Sequence, residues 1–219
     1  LATVPAGGAA AVGLALGPVR EPAEPFTELI PSWNAATPPG TWVEARARAR
    51  IGDRWTGWYA FGAWSTDDVR GRRESVANQR DDDGRVLTDT LRLRTPASGY
   101  QLALALYSDD AAQSPAIELA AALASRPSET ARDLAADRST WGMVLEVPER
   151  SQMVYPNGGP VWCSPTSTSM VMAYWADRLG VPSLSRPVPE VAAAVYDPVY
   201  RGNGNWSFNV AYAAREGLT

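Results

Sequence analysis

Eleven residues from Thr41 to Ile51 alternate without a fault. Val43, Ala45, Ala47, Ala49 and Ile51 fall on one side, and Trp42, Glu44, Arg46, Arg48 and Arg50 fall on the other. A period of two places successive side chains on opposite faces of a strand, so the segment reads as β-structure with one small, apolar face. Further strand candidates surround it: Trp55 to Trp64, interrupted by Gly57 and Gly62, then Val86 to Leu93, and Tyr100 to Tyr107. Ala116 to Leu123 fits a strand or a helix, and Ala9 to Gly17 a small-residue strand or a mobile arm. Pro-Pro-Gly (38–40), Asp-Asp-Asp-Gly (81–84) and Pro-Ala-Ser-Gly (96–99) supply turns between them. Short strands at this spacing imply a β-sandwich or jelly roll over residues 1–125.

The period changes beyond Trp141. Residues 126–140 are polar and aperiodic and read as a linker, leaving 141–219 as a second region. Leu145 to Gln152 reads as extended. A loop with Pro156, Gly158, Gly159 and Pro160 precedes a helix expected from about Ser164 to Leu179. Pro165 suits the first helical position, Val171, Trp175 and Leu179 recur at helical spacing, and Gly180 suits the stop. Pro189 to Tyr196 reads as a second short helix, and Ser207 as the cap of a third. The fold class expected is therefore α+β.

Cys163 is the only cysteine, and it stands where the long helix begins. One cysteine allows no internal disulfide. At a helix start, unpaired N–H groups and the positive end of the dipole favour thiolate, and they can also line an oxyanion hole. The opposing reading is a small buried hydrophobe. The chain has no histidine, so the usual general base for a thiol nucleophile is absent from it. With one cysteine and no histidine, no zinc ligand set is expected. No other metal or cofactor is expected either. Aligning Gly84 with the glycine of a calcium loop puts Thr90 where a bidentate acid is needed, so 81–84 reads as a solvated turn.

A net charge of −4 gives no general reason to bind nucleic acid. The apolar stretch at 9–17 is too short to span a bilayer, and the first positive charge is Arg20. All 20 basic residues are arginine, which fits a GC-rich coding bias. Arg46, Arg48 and Arg50 are expected on a solvent face beside local acids, and Trp55, Trp58 and Trp64 fit either a sugar-stacking face or the core.

Several blocks together resemble the bacteriocin-processing-like cysteine peptidases, family thirty-nine of the papain clan, as found in secreted or envelope proteins of high-GC bacteria. They are Ser151-Gln152, the run Trp162-Cys163-Ser164-Pro165-Thr166-Ser167-Thr168-Ser169-Met170 through Trp175, and Gly202-Asn203-Gly204-Asn205-Trp206-Ser207-Phe208-Asn209. Phe26 to Asn34 and Pro38 to Trp42 are similar to the β-domain that precedes the peptidase domain in such proteins. The resemblance implies the N-terminal half of a papain-like domain after an accessory β-sandwich. It implies Cys163 as nucleophile and Gln152 as the oxyanion-hole glutamine. Trp162, Asn205 and Trp206 stand as substrate-contact candidates. The general base would come from a downstream segment or second chain that completes the domain, so this chain alone is expected to be inactive. The reaction implied is peptide-bond hydrolysis through a Cys163 thioester, on a peptide or protein substrate. Two other readings stand beside it: a binding protein whose β-domain recognises envelope glycan, and an amidase or acyltransferase on the same scaffold.

Overall fold

The computed structural model describes residues 9–67, 72–127 and 137–218. Two antiparallel sheets form the first part. One runs β1 (Ala11–Leu16), β8 (Gly99–Ser108), β3 (Thr41–Ile51), β4 (Arg54–Trp55), with β5 (Tyr59–Trp64) also paired to β3. The other runs β6 (Gly84–Leu87), β7 (Thr90–Ala97), β2 (Phe26–Ala36), β9 (Ala116–Ser125). Three helices follow: α1 (Cys163–Leu179), α2 (Val188–Ala194) and α3 (Trp206–Arg215). The architecture is α+β. Residues 128–136 of the expected linker lie outside the described residues.

The alternation in β3 works as its period requires. Val43, Ala45, Ala47 and Ala49 are buried between the sheets with Phe26, Leu29 and Trp33 of β2 and Leu102 and Leu104 of β8. Its other face is a correction. Arg46 is 5% exposed and Glu44 2%, so this is no solvent face. Trp42 stacks on Tyr107, with ring centroids 5.2 Å apart, and the Arg72 guanidinium covers the Trp42 ring. The pairing with local acids does occur, Arg46 with Glu44 at 2.5 Å and Arg50 with Glu21 at 2.7 Å. Arg48 instead bonds Gln101 and lies over the rings of Trp55 and Trp58, 4.5 and 4.8 Å from their centroids. Trp64 is a core residue.

The expected single strand from Val86 to Leu93 is a hairpin instead. It turns at Thr88, which adopts a left-handed φ of 59°. Ala116 to Leu123 is a strand and joins β2.

The helices are joined to the sheets by a shared core. Phe208 of α3 is fully buried and packs edge-on to Trp33 and tilted against Trp64, at 6.3 and 5.3 Å. Pro31 within β2 has no N–H to give a neighbouring strand, and its carbonyl accepts the Ser207 hydroxyl at 2.6 Å. Met172, Val191 and Val195 belong to the same buried cluster. No helix among the described residues is long and apolar enough to cross a membrane.

Candidate active site

The long helix α1 begins one residue earlier than its sequence suggests. Trp162 is the N-cap and Cys163 the first helical residue, which makes Pro165 the third. The proline is still harmless there, because the first-turn N–H groups have no partner within a helix. The first backbone bond at this end is Thr166 N–H to the Trp162 carbonyl at 3.0 Å. The N–H groups of Cys163 and Ser164 therefore have no backbone partner among the described residues. Cys163 is exposed. Gly180 closes the helix in the left-handed conformation, φ 66°.

Gln152 opens a 3-10 turn, Gln152–Val154, capped by the Ser151 hydroxyl. Its side-chain Nε2 donates to the Gly159 carbonyl at 2.5 Å. An amide nitrogen carries two hydrogens, so one remains for another acceptor. Gly159 begins a second 3-10 turn, Gly159–Val161, that leads into Trp162. A side chain at Gly159 would come within 2.9 Å of the Gln152 carbonyl, so glycine is what lets the two turns close on each other. The glutamine thus fastens the loop that delivers Cys163.

Trp162 lies over Gly158, where an added Cβ would fall 2.0 Å from the ring, and leans on Tyr155. Its other surroundings are a cleft of about 580 Å³, walled by Trp162 and Val161 on one side and by Pro189, Tyr196, Tyr200 and Arg201 on the other. Of the three expected contact residues, Trp162 is in this wall. Asn205 is fully buried as the N-cap of α3, accepting from the Phe208 N–H and donating to Asp197. It takes the capping place expected of Ser207, whose hydroxyl is spent on Pro31. Trp206 is exposed, and its backbone N–H donates to Asp89 Oδ2 at 2.6 Å.

The far wall rests on Asp197, which the sequence reading passed over, although an Asp-Pro step is a turn signal. This buried carboxylate accepts from the N–H groups of Val199 and Tyr200 through Oδ1. The same oxygen takes the Ser75 N–H from the β region at 3.2 Å, and Oδ2 takes the Asn205 amide. Asn209 ties α3 to α1, accepting from the Thr168 hydroxyl and donating to the carbonyls of Asn203 and Asn205.

Asp89 is the other anchor between the regions, and burial pushes its carboxyl above the usual range, against the opposing pull of the Trp206 N–H and Thr90 hydroxyl. A raised folded value means that the group favours folding while protonated, and that this contribution is lost as pH rises from the unfolded value of about 3.9 through the folded one. Asp89→Asn keeps an oxygen acceptor and carries no charge. Its unfolding midpoint is expected to gain on that of the wild type as pH is raised from 4 to 7. A constant difference across that range would show that Asp89 is not strained by ionisation.

Among the described residues no group of three or more His, Cys, Asp or Glu side chains could hold a metal. The Asp81–Gly84 turn is self-satisfied: Asp81 Oδ1 accepts from Tyr59 Oη and from the N–H groups of Asp83 and Gly84, while Asp83 pairs with Arg54.

Residues 7–125 match the family model described as Peptidase C39 N-terminal domain, and residues 144–218 match that of the Peptidase_C39 like family. No curated protein and no solved structure matches the chain significantly.

Proposed function

This chain belongs to the peptidase C39 N-terminal domain family, whose model spans more than half of it, and we propose that it is the nucleophile-bearing part of a papain-like cysteine peptidase. The observation that carries the reading is an exposed Cys163 at the first position of a 17-residue helix, next to the tryptophan that walls a cleft. The Cys163 sulfur attacks a peptide carbonyl carbon. The N–H of Cys163 and the second amide hydrogen of Gln152 receive the oxyanion. The C–N bond breaks as the amine takes a proton, leaving an acyl thioester, and water then releases the carboxylate and restores the thiol. The chain contains no histidine, so the imidazole that moves these protons comes from residues outside it.

The place for that completing segment is the open side of α1. Val171, Trp175 and Leu179 stand 51%, 43% and 55% exposed. They recur at steps of four, so they form one apolar stripe, which turns by about 40° per step and runs round the helix away from Cys163. A segment packed there would cover this stripe, and its continuation past Val171 toward the first turn would approach Cys163.

The test is covalent capture. A short peptide ending in a chloromethyl ketone is expected to alkylate Cys163 at least about tenfold faster than iodoacetamide does, after allowance for their intrinsic reactivities, because the cleft holds the peptide in place. Filling the cleft by Ala193→Trp should remove that advantage and leave iodoacetamide unaffected. Equal rates for both reagents on the unmodified protein would sink the reading of this cleft as a peptide site.

A further inference from the structure

The hairpin β6–β7 sets like charges opposite one another across its strands. Arg80 bridges Arg85, Arg85 is paired directly opposite Arg92, and Arg92 is opposite Glu28 of β2. Three guanidinium-bearing residues thus stand in one row across neighbouring backbones, in steps of about 5 Å, and like charges set directly opposite destabilise a sheet. Arg94 lies two residues along β7 from Arg92, on the same face. Ion pairing does not relieve the row. Glu28 reaches only Arg92, at 3.0 Å, and Asp83 is held at both oxygens by Arg54. Asp81 is engaged by Tyr59 and two backbone N–H groups. Arg80, Arg85 and Arg94 have no carboxylate partner among the described residues.

These residues enclose a cavity of about 280 Å³, lined by Arg80, Arg85, Arg92 and Arg94 with Gly84 and Leu93, and no acid contributes to its wall. Its floor is built for close approach. An added Cβ at Gly84 would fall 2.6 Å from the Arg92 carbonyl, so only glycine lets the two strands meet there.

We propose that this cavity binds an anion carrying two or more linked phosphate groups. A planar guanidinium matches two phosphate oxygens at once, and each phosphate offers more charge and more acceptors than a carboxylate does. The row of Arg80, Arg85 and Arg92, of which Glu28 offsets only the last, with Arg94 beside it, suits a ligand with charge repeated along its length. The net charge of −4 does not oppose this, because screening over about 10 Å makes the local row, not the sum over the chain, the field a ligand meets. The proposal is independent of the peptidase reading, since none of these residues borders Cys163 or its cleft.

The probe is sodium tripolyphosphate, titrated calorimetrically into the whole chain at low ionic strength. One saturable site is expected, weakening steeply with added salt. Arg85→Gln should weaken it at least tenfold, Arg94→Gln likewise, and Glu28→Gln should tighten it by removing a competing anion. Both arginines are exposed, and their neutral variants relieve repulsion, so folding should be retained and near-ultraviolet circular dichroism unchanged. A flat titration would overturn the proposal. So would unaltered binding by Arg85→Gln and Arg94→Gln, or citrate binding as tightly as tripolyphosphate.

Discussion

Cys163→Ala is expected to lower peptide hydrolysis by about four to six orders of magnitude in the protein completed by its imidazole-bearing segment, because the bond-forming atom itself is gone. The chain of residues 1–219 should show no turnover in either form, having no imidazole of its own. Trp175→Glu is the informative companion. Trp175 touches neither Cys163 nor the cleft wall, and it lies on the open face of α1. With the completing segment supplied as a separate chain, this variant should lose activity at low concentrations of that segment and recover it at high ones, while Cys163→Ala recovers at none. Steady-state hydrolysis across a titration of the segment reads both. Cys163→Ala retaining activity within about tenfold would remove the nucleophile assignment. Trp175→Glu behaving as wild type at every concentration would remove the docking face but not the nucleophile.

The largest effect on stability is expected at Phe208. It is fully buried between Trp33 and Trp64, side chains from both sheets. Truncating such a ring costs about 3–5 kcal/mol through lost transfer energy and the cavity left behind. Against a total of about 5–15 kcal/mol for a domain, Phe208→Ala should be near the edge of folding. Because this side chain belongs to one cluster with residues of both regions, unfolding should remain a single transition, shifted down as a whole. Denaturant melts followed by far-ultraviolet circular dichroism and tryptophan fluorescence would test this. Two separated transitions, with the β signal unmoved, would mean that the sheets hold themselves together without α3.

Legibility in the sequence followed how local the cause was. The β3 strand was readable because its alternation is a property of consecutive residues, and Gly180 because a left-handed stop is almost reserved for glycine. The turn at Thr88 was not, since a threonine at positive φ gives no composition signal. Asn205 and Ser207 are both capping types two residues apart. The choice between them was made by Pro31, distant in sequence, which claims the serine hydroxyl. Arg46 looked solvated because strand alternation says which face a residue is on, not what covers that face. At the candidate site, Cys163 stood out from its place at a helix start and Gln152 as an amide eleven positions upstream of it, and both, with Trp162, from the blocks that carry the resemblance. The far wall of the cleft could not be foreseen. Tyr196, Tyr200 and Arg201 come from a helix end and a turn, with no shared period, and Asp197, which holds that turn through Val199 and Tyr200, is tied to the β region by the distant Ser75 N–H.

That last bond is made across 122 positions, the Asp89 bond to Trp206 across 117 and the Ser207 bond to Pro31 across 176. Contacts so far apart in sequence close large loops, so they are slow to find and come late. Synthesis runs in the favourable direction, with the strands emerging before the helices that complete their core. The cleft wall can be set only once residues 197–207 arrive on it. A cysteine already displayed on its helix would have no organised cleft beside it until then, so the order of assembly itself delays the forming of a place for substrate.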